Sequence, residues 1–339
     1  MNIVITGGAG FLGARLAHHL LSAGSLSLAG QPSQTIGRIT LVDRAAPAAD
    51  LLRDPRVQAV VGDLLELLAA GSQTPALRPD DALIFHLAAA VSGECEADFD
   101  LGMRSNLDAT RALLQACRAM GTAPTVVFAS SLAVFGNSPE QPLPSVIDDS
   151  TLPTPQNSYG IQKFIGEQLV ADYARKGFIR GRNVRLMTVS VRPGRPNGAA
   201  SSFLSGIIRE PLAGLRAACP VPPDTPVALS SPGKSIEGLV RAAQASDHQW
   251  GARTAVNLPA LKTSPARMVA ALERVAGAAV TRLIDWTPDP LIAKIVTSWP
   301  AEIQAARARS LGLQADADFD SIIFEYLREN PQPAQADRQ

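Results

Sequence analysis

Residues 2–13 read Asn2-Ile3-Val4-Ile5-Thr6-Gly7-Gly8-Ala9-Gly10-Phe11-Leu12-Gly13, a short apolar strand that runs straight into a glycine-rich turn. The mainly apolar stretch 11–21 contains no proline and predicts a helix directly after the turn. In such a turn Gly7 permits the sharp bend, Gly10 lets the backbone approach a phosphate, and Gly13 lets the helix pack against the strand. The helix N-terminus adds free N–H groups and a partial positive charge. The segment therefore predicts a site for the pyrophosphate of a dinucleotide.

Composition and charge exclude several classes of protein. The chain has 339 residues, 46% of them hydrophobic and 18% charged, and its formal net charge is zero, so nothing favours binding to nucleic acid or to an anionic membrane surface. No apolar run approaches the roughly 20 residues that span a bilayer. The chain begins in a strand rather than a basic leader, which predicts no signal peptide. Three scattered cysteines predict reduced thiols in a cytoplasmic protein, and four histidines without paired cysteines predict no metal site.

Apolar runs rich in branched residues recur through the first 190 positions, with helix-like stretches between them. The runs are 39–42, 57–61, 82–85, 125–128 and 184–191, and helices are predicted over 104–120 and 159–176. Short strands that are apolar throughout and alternate with helices are typical of a parallel sheet covered on both faces. The predicted fold class is therefore α/β, a Rossmann-type doubly wound parallel sheet whose ligands bind beyond the carboxyl ends of the strands. Gly7, Asp43, His86 and Ser131 should then surround one crevice.

The pattern changes after Arg192, where seven prolines interrupt the sequence up to Pro226. We predict a dinucleotide-binding domain over residues 1–192 and a smaller, mainly substrate-binding domain over 193–329, with helices at 265–276 and 301–310. The polar, proline-containing tail 330–339 is predicted to be disordered. The stretch 24–37, rich in Gly, Ser and Gln, is predicted to be a surface loop.

Two aspartates end predicted strands near the dinucleotide site. Asp43 ends the second strand, where a carboxylate accepts hydrogen bonds from the adenosine ribose and repels a 2′-phosphate, so NAD is favoured over NADP. Arg44 beside it is the argument for NADP. Asp63 ends the third strand and can hydrogen-bond adenine. The alternatives are a capping role for Asp43 and a turn-forming role for Asp63.

Tyr159 and Lys163 lie four residues apart on a predicted helix and so project from the same face. A phenol has a pKa of about 10 and is a poor base at neutral pH. A neighbouring ammonium and a positively charged nicotinamide ring both favour the phenolate. Tyr159 can then accept the proton of a substrate hydroxyl while Lys163 binds the nicotinamide ribose. The alternative is an exposed helical pair without a catalytic role.

Two further polar positions support that interpretation. Ser131 closes a buried strand, from which its hydroxyl can bind the reacting oxygen and orient it toward Tyr159. Asn106, on the preceding helix, can hold a water that connects Lys163 with solvent. The alternatives are a capping or turn role for the Ser130-Ser131 pair and a buried structural amide for Asn106.

Taken in order, these motifs resemble the extended short-chain dehydrogenase/reductase superfamily, which contains NAD-dependent epimerases and dehydratases. The matching elements are Thr6-Gly7-x-x-Gly10-x-x-Gly13, His86-Leu87-Ala88-Ala89, Asn106, Ser130-Ser131-x-x-Val134-Phe135-Gly136, Tyr159-x-x-x-Lys163 and Arg192-Pro193-Gly194. The resemblance implies a catalytic tetrad of Asn106, Ser131, Tyr159 and Lys163. The NAD-binding residues that follow from the motifs and the resemblance are Gly7, Gly10, Phe11, Leu12, Asp43, Asp63, Leu64, Leu87, Ala88, Ala89, Tyr159, Lys163 and Pro193.

Longer strings resemble a narrower family, the D-erythronate dehydrogenases, which oxidise the C2 hydroxyl of D-erythronate to 2-oxo-tetronate with NAD. These strings are Ala88-Ala89-Ala90-Val91-Ser92-Gly93-Glu94, Arg192-Pro193-Gly194-Arg195-Pro196-Asn197 and Ile207-Ile208-Arg209-Glu210-Pro211-Leu212. The resemblance implies a small polar pocket in which Ser131 and Tyr159 bind a four-carbon sugar acid. Arg195 and Arg209 are candidates for the carboxylate, and Ser92 for the hydroxyls or carboxylate, with surface and loop roles as alternatives.

Residue types also bear on the reaction. Leu132 and Ala133 stand where nucleotide-sugar 4,6-dehydratases place an Asp-Glu pair, and neither side chain can transfer a proton, which argues against a dehydratase. Two alternatives stay open: a nucleotide-sugar 4-epimerase that retains its NAD, and a non-catalytic dinucleotide-binding protein, against which the complete tetrad argues. By the same resemblance, the helices over 104–120 and 159–176 would pair two chains in a homodimer.

Overall fold

The centre of the molecule is a parallel sheet. The computed structural model describes residues 1–69, 71–73, 75–194 and 198–331, and seven of its strands form this sheet. From one edge to the other they are Val256–Asn257, Arg180–Leu186, Thr125–Ser131, Asp81–His86, Asn2–Thr6, Arg38–Asp43 and Val57–Val61. The chain builds the sheet outward in both directions from Asn2–Thr6, which is the order of a doubly wound sheet. The predicted fold class is confirmed.

Successive residues of the central strands enter two different cores, as a sheet covered on both faces requires. Ile3 and Ile5 pack on one side with Leu16 of the following helix. Val4, between them, packs on the other side with Leu113. All of these side chains are fully buried, which is why the strand is apolar throughout rather than alternating.

Helices cover the sheet and build the carboxy-terminal part. The α-helices are Phe11–Ala23, Leu64–Leu68, Ser92–Ala97, Phe99–Gly102, Ala109–Met120, Ser158–Arg175, Phe203–Leu212, Pro232–Gln244, Asp247–Trp250, Pro265–Ala276, Ala278–Thr281, Pro290–Thr297, Ala306–Ser310 and Phe319–Glu329. A π-helical turn spans Met103–Asp108, and 3₁₀ turns span Leu51–Arg53 and Leu132–Val134. Ser158–Arg175 is called the catalytic helix below because it carries Tyr159 and Lys163.

Three small sheets complete the described structure. Their strands are Ser25–Ser27 with Ser33–Thr35, Thr188–Val189 with Val227–Ser230 and Leu261–Thr263, and Ala217–Cys219 with Ile284–Trp286. The second and third of these sheets belong to the carboxy-terminal part, whose separate apolar core includes Ile207 and Ile208. The helix Phe203–Leu212 belongs to this part.

Three predicted elements have different bounds in the structure. The strand predicted over 184–191 spans Arg180–Leu186, because its first residues are arginines that pair with Asp247 and hide the start of the strand from an apolar pattern. The helix predicted over 104–120 begins as the π-helical turn. The helix predicted over 301–310 is only Ala306–Ser310, since Ile303 forms a β-bridge with Ile147.

Part of the carboxy-terminal half belongs to the central sheet. Val256 and Asn257 pair in parallel with Val184 and Arg185, and the helix Pro232–Gln244 packs on two neighbouring strands. The division predicted at residue 192 stays a prediction. The structure adds that the chain crosses that division again to finish the sheet.

The prediction that the stretch 24–37 is a surface loop is wrong. It forms an antiparallel hairpin, with Leu26 and Ile36 buried in the core. The main-chain N–H of Ala29 donates to Ala243 at 2.9 Å, and that of Gly30 donates to Gln244 at 2.7 Å. The polar composition concealed two apolar anchors that attach the hairpin to the helix Pro232–Gln244.

Two kinds of feature are absent from the described residues. None of their helices has the length and apolar character to cross a membrane, and no group of three or more His, Cys, Asp or Glu residues among them is arranged to hold a metal ion. Most of the predicted disordered tail, residues 332–339, lies outside the described residues.

Candidate active site

A cleft of about 400 Å³ opens at the carboxyl ends of the central strands. Its walls come from the glycine turn, the ends of four strands, the first turns of the catalytic helix and the segment before Phe203–Leu212. The residues that the sequence assigned to NAD and that line this cleft are Gly7, Gly10, Phe11, Leu12, Asp43, Asp63, Leu64, Leu87, Ala88, Ala89, Tyr159 and Lys163. The topology therefore brings together groups that are far apart in the chain.

The glycine turn has the shape that a pyrophosphate needs. Gly7 has φ +72°, and a Cβ there would lie 2.8 Å from the main-chain nitrogen of Ala88. A Cβ on Gly13 would collide with the carbonyl oxygen of Gly7. A Cβ on Gly10 would meet only that carbonyl oxygen, at 3.2 Å, and would otherwise fill the cradle that the turn leaves open. The three predicted glycine roles agree with this geometry, and the cradle fits a dinucleotide phosphate.

Asp43 is held at the cleft by main-chain donors. Its Oδ2 accepts from the N–H of Ala9 in the glycine turn at 3.0 Å, and its Oδ1 accepts from the N–H of Ala45 at 3.2 Å. The carboxylate thus lies next to the cradle, where it fits a ribose hydroxyl and repels a 2′-phosphate. Arg44 also lines the cleft and is exposed.

Asp63 lines the cleft but has local partners. Its side chain caps the helix Leu64–Leu68 by accepting from the N–H of Leu65 at 3.0 Å, and it pairs with Arg104 at 3.3 Å. The structural alternative for this aspartate is therefore present in the molecule. Its contact with adenine stays a prediction.

Two predicted cleft positions are corrected by the structure. His86 does not line the cleft; its ring lies between the hydroxyls of Thr6, at 2.7 Å, and Thr110, at 2.9 Å. Burial and the charge of Lys163 lower the pKa of His86 to about 3, so the ring is neutral. Pro193 is not among the described residues that line the cleft either; Arg192, just before it, is.

The first turn of the catalytic helix is fixed from two sides. Asn157 caps it by accepting from the N–H of Gly160 at 2.8 Å, and Glu96 accepts from the N–H of Ser158 at 2.7 Å. A Cβ on Gly160 would collide with the carbonyl oxygen of Ala133, so only glycine lets the helix lie this close to the segment after Ser131. Glu96 is exposed and acts as a second cap of this helix.

This close approach joins Tyr159 to Ser131. Both side chains line the cleft, where Ser131 acts on the phenol of Tyr159, and Ser131 Oγ accepts from the N–H of Ala133 at 3.1 Å. Burial raises the pKa of Tyr159 to about 12, whereas the hydrogen bond from Ser131 and the charge of Arg192 act to lower it. The phenol is therefore protonated at neutral pH, because burial outweighs the charges that favour the phenolate.

Lys163 lies one turn further along the helix and deeper in the fold. Its Nζ donates to the carbonyl oxygen of Ala129 at 2.9 Å and lies 5.7 Å from the centre of the Tyr159 ring. Burial lowers the pKa of Lys163 to about 8, and the interactions with Cys95 and Glu167 oppose that change. Its side chain lines the cleft, which is compatible with the predicted contact to a ribose.

A buried network of charged and polar side chains begins one helical turn after Lys163. Glu167 pairs with Arg185, at 2.8 Å from Nε to Oε1 and 2.7 Å from Nη2 to Oε2, and accepts from Ser130 Oγ at 2.5 Å. Arg185 also donates to Asn257 Oδ1 at 3.3 Å. The sequence analysis missed this network, although the position of Glu167 four residues after Lys163 was a usable signal.

Asn106 has a different role from the predicted water relay. Its Oδ1 accepts from the N–H of Ala90 at 2.8 Å, and its Nδ2 donates to the carbonyl of Ala90 at 3.2 Å and to Gln162 Oε1 at 2.8 Å. The side chain is buried and fully engaged. Asn106 is thus a positioning residue that clamps the cleft-lining segment at Ala90 against the catalytic helix.

The substrate-side predictions have mixed outcomes. Ser92 lines the cleft and accepts from the N–H of Ala200 at 3.3 Å, which leaves its hydroxyl hydrogen for a ligand. Arg195 lies outside the described residues. Arg209 does not line the cleft, because its Nη2 pairs with Glu210 at 2.5 Å and its Nη1 donates to the carbonyl of Arg192 at 2.7 Å. This placement does not favour a contact between Arg209 and the substrate, which stays a prediction.

Arg192 and Trp299 line the cleft and were missed. Arg192 Nη2 and Trp299 Nε1 are buried nitrogens without a hydrogen-bond partner. Burial and the neighbouring charge of Arg209 lower the pKa of Arg192, and Tyr159 acts in the opposite direction. The sequence signal for Arg192 was its position directly after the buried Val191, at the point where prolines begin to interrupt the pattern.

Comparison with known proteins agrees with this geometry. The chain is 51% identical to a D-erythronate dehydrogenase of Cupriavidus necator over 97% of its own length and 98% of that protein. It is 40% identical to a D-erythronate dehydrogenase of Haemophilus influenzae, over 96% and 99% of the two chains. A solved structure described as a nucleoside-diphosphate-sugar epimerase from Agrobacterium tumefaciens has a TM-score of 0.87 at 40% identity, over 97% and 94%.

A more distant structure, an L-threonine 3-dehydrogenase from Trypanosoma brucei, has a TM-score of 0.81 at 23% identity over 97% and 96% of the two chains and shares the fold. The model of the NAD dependent epimerase/dehydratase family matches residues 3–231, which confirms the predicted family and its NAD cofactor. With the glycine turn, Asp43, Ser131, Tyr159 and Lys163 gathered at one cleft, the chain belongs to the NAD dependent epimerase/dehydratase family.

Proposed function

We propose that this protein is a dehydrogenase that oxidises the C2 hydroxyl of D-erythronate to 2-oxo-tetronate with NAD. The observation that carries the reaction type is the placement of Ser131, Tyr159 and Lys163 together at the wall of the NAD cleft. The substrate is taken from the two D-erythronate dehydrogenases, which match this chain over almost its whole length. The position of Arg192, whose Nη2 has no partner among the described residues of the same cleft, supports a substrate that is an anion.

Ser131 and Tyr159 would act together on the substrate hydroxyl. Ser131 orients the oxygen, and Tyr159 takes its proton through the phenolic oxygen. Bound NAD supplies the two-electron acceptor of the reaction and a positively charged ring. The main-chain contact of Lys163 with Ala129 holds the ammonium beside the Tyr159 ring, where its charge favours the phenolate. Asn106 keeps the opposite wall in place through Ala90.

The high pKa of Tyr159 has a consequence for catalysis. A unit positive charge about 5 Å away, at an effective dielectric constant of about 20, is worth about 3 kcal/mol, or about two pKa units. From a starting value of about 12, one such charge leaves the phenol mostly protonated at neutral pH. Oxidation should therefore become faster as the pH rises above 7.

The alternative is a nucleotide-sugar 4-epimerase, and the Agrobacterium tumefaciens structure described by that activity supports it. An epimerase returns its electrons to the substrate and shows no net reduction of free NAD. The two activities use the same proton acceptor and differ in the substrate and in whether the cofactor leaves.

Absorbance at 340 nm tests the proposal. Purified protein is mixed with free NAD and D-erythronate, with L-threonate and with a UDP-hexose in parallel. NADH formed with D-erythronate supports the proposed function, and NADH formed only with L-threonate changes the stereochemistry at C2. No NADH with either acid, together with interconversion of the UDP-hexose, would replace the proposal with the epimerase.

We also infer a homodimer that forms through the catalytic helix. Ile161 and Ile165 lie one turn apart on its exposed side, and the exposed Phe99 belongs to a helix that contacts it. An apolar stripe of this kind supports pairing with a second copy. Light scattering of the chain and of Ile165→Glu tests this, with a dimer and a monomer as the expected results.

The buried, free Cys95, Cys117 and Cys219 support a reducing compartment such as the cytoplasm.

A further inference from the structure

We propose that Arg192 binds the carboxylate of the substrate and that Arg209 is a positioning residue that holds Arg192 for this task. The inference rests on the proposed function, because it takes a small sugar acid as the substrate. It assigns the carboxylate to a residue that the sequence patterns did not single out. It also restricts the substrates to acids whose reacting hydroxyl lies next to the carboxylate.

The first observation is that no acidic side chain among the described residues pairs with Arg192. Its side chain lines the cleft, its Nη2 is buried, and that nitrogen has no hydrogen-bond partner. The acidic side chain of the helix Phe203–Leu212, Glu210, already pairs with Arg209. A buried charge without a partner is unfavourable, and an arginine offers a planar pair of donors that matches a carboxylate. A ligand carboxylate would relieve both conditions.

The second observation is that the main chain of Arg192 is clamped on both sides. Its N–H donates to Ser205 Oγ at 3.0 Å, and its carbonyl oxygen accepts from Arg209 Nη1 at 2.7 Å. Ser205 and Arg209 lie one turn apart on the helix Phe203–Leu212 and are both buried. This helix therefore fixes the position of the main chain from which the Arg192 side chain extends.

The other cations of the described cleft wall have partners or lie at its adenosine end. Lys163 donates to Ala129, and Arg104 pairs with Asp63. Arg44 is exposed beside Asp43, which faces the ribose position. The charge of Arg192 also acts to lower the pKa of Tyr159. A carboxylate held there leaves the hydroxyl on the adjacent carbon beside Tyr159 and Ser131, as the oxidation of a 2-hydroxy acid requires.

The test compares Arg192→Met and Arg192→Lys with two other variants. Arg216→Met is the matched control, because Arg216 is exposed, pairs with Asp285 and is not among the residues that line the described cleft. Arg195→Met tests the other predicted arginine. For each variant kcat and KM are measured with D-erythronate and with erythritol, which has the same carbon chain without a carboxylate. Binding of D-erythronate to the NAD-loaded Tyr159→Phe background is measured by calorimetry with and without Arg192→Met.

Loss of a buried charged contact predicts that Arg192→Met raises the KM and the Kd for D-erythronate at least about 30-fold. Oxidation of erythritol should change less than about threefold, since it has no carboxylate to lose, and Arg192→Lys should recover part of the binding. Arg216→Met should match the wild type. These results would support the inference.

The possible failures are distinguishable. If the wild type oxidises D-erythronate and Arg192→Met retains its KM, the inference is overturned and the proposed function stands. A rise in KM confined to Arg195→Met likewise overturns it. If the wild type binds D-erythronate through Arg192 by calorimetry but forms no NADH, the proposed function fails while the carboxylate site stands.

Discussion

Glu167 lies one helical turn after Lys163, so that a buried carboxylate and the buried ammonium of the site are neighbours on the same helix. The same carboxylate is bound by Arg185 and Ser130. Its negative charge acts to raise the pKa of Lys163, against the larger effect of burial. The charge state of the catalytic helix therefore depends on a residue that does not itself line the cleft.

Glu167→Gln should move the alkaline limb of kcat/KM to lower pH. Removal of the negative charge lowers the pKa of Lys163 further below about 8, so Lys163 loses its proton, and its support of the phenolate, at a lower pH. Arg185 also loses its buried partner, which should reduce the free energy of unfolding by about 3 to 5 kcal/mol. Asp172→Asn, on the exposed side of the same helix, is the control. An alkaline limb at the wild-type pH would contradict the electrostatic role.

Tyr159→Phe should lower kcat for oxidation by about 100- to 10,000-fold, because the proton acceptor is lost. Binding of NAD, measured by quenching of intrinsic fluorescence, should change less than twofold. Tyr173→Phe, on the same helix, is the control and should keep full activity. In the wild type the acid limb should rise with pH above 7, since oxidation needs the deprotonated form of a group whose pKa is raised to about 12 by burial. Substantial turnover by Tyr159→Phe would defeat this assignment.

Asp43→Ala should weaken the preference for NAD over NADP. The carboxylate beside the glycine turn can accept charge-assisted hydrogen bonds from a ribose, and its loss is worth about 10- to 100-fold in the ratio of the two kcat/KM values. Asp50→Ala, an exposed partner of His18, should leave the ratio unchanged. A wild-type ratio in Asp43→Ala would assign the discrimination to another residue.

Gly160→Ala should reduce kcat by about 100-fold, the effect expected when a reacting group moves by about 1 Å. The added methyl group cannot lie next to the carbonyl oxygen of Ala133, so the first turn of the helix must shift and take Tyr159 with it. Gly37→Ala is the control, because its Cβ would have only an ordinary contact at 3.5 Å. Full activity in Gly160→Ala would show that the Ser131–Tyr159 contact tolerates such a shift.

Features that depend on local pattern could be predicted from the sequence. Strands such as Asn2–Thr6 are apolar because both faces are buried, and the glycine turn has a spacing set by steric limits at Gly7 and Gly13. The carboxyl ends of parallel strands meet at one edge, which is why Asp43 and Ser131 could be assigned to one cleft.

Features that depend on the partner with which a side chain pairs could not be predicted from the sequence. Arg209 and Arg192 are both arginines near the same helix, and only the packed fold shows that one is engaged by Glu210 while the other is unpaired. His86 belongs to a recognisable motif, yet its ring binds two threonines in the core. Asn106 is buried, as its structural alternative predicted, and its partners lie at distant positions.

The return of Val256–Asn257 to the central sheet limits where this chain can be shortened. The family match ends at residue 231, but a fragment that stopped there would lose the strand that covers Arg180–Leu186 and would expose its N–H and C=O groups as a free edge. It would also remove the partner of Arg185 at Asn257. The boundary of the shared family sequence is therefore not a boundary of the folding unit, and truncation at that point should produce aggregation rather than a minimal enzyme.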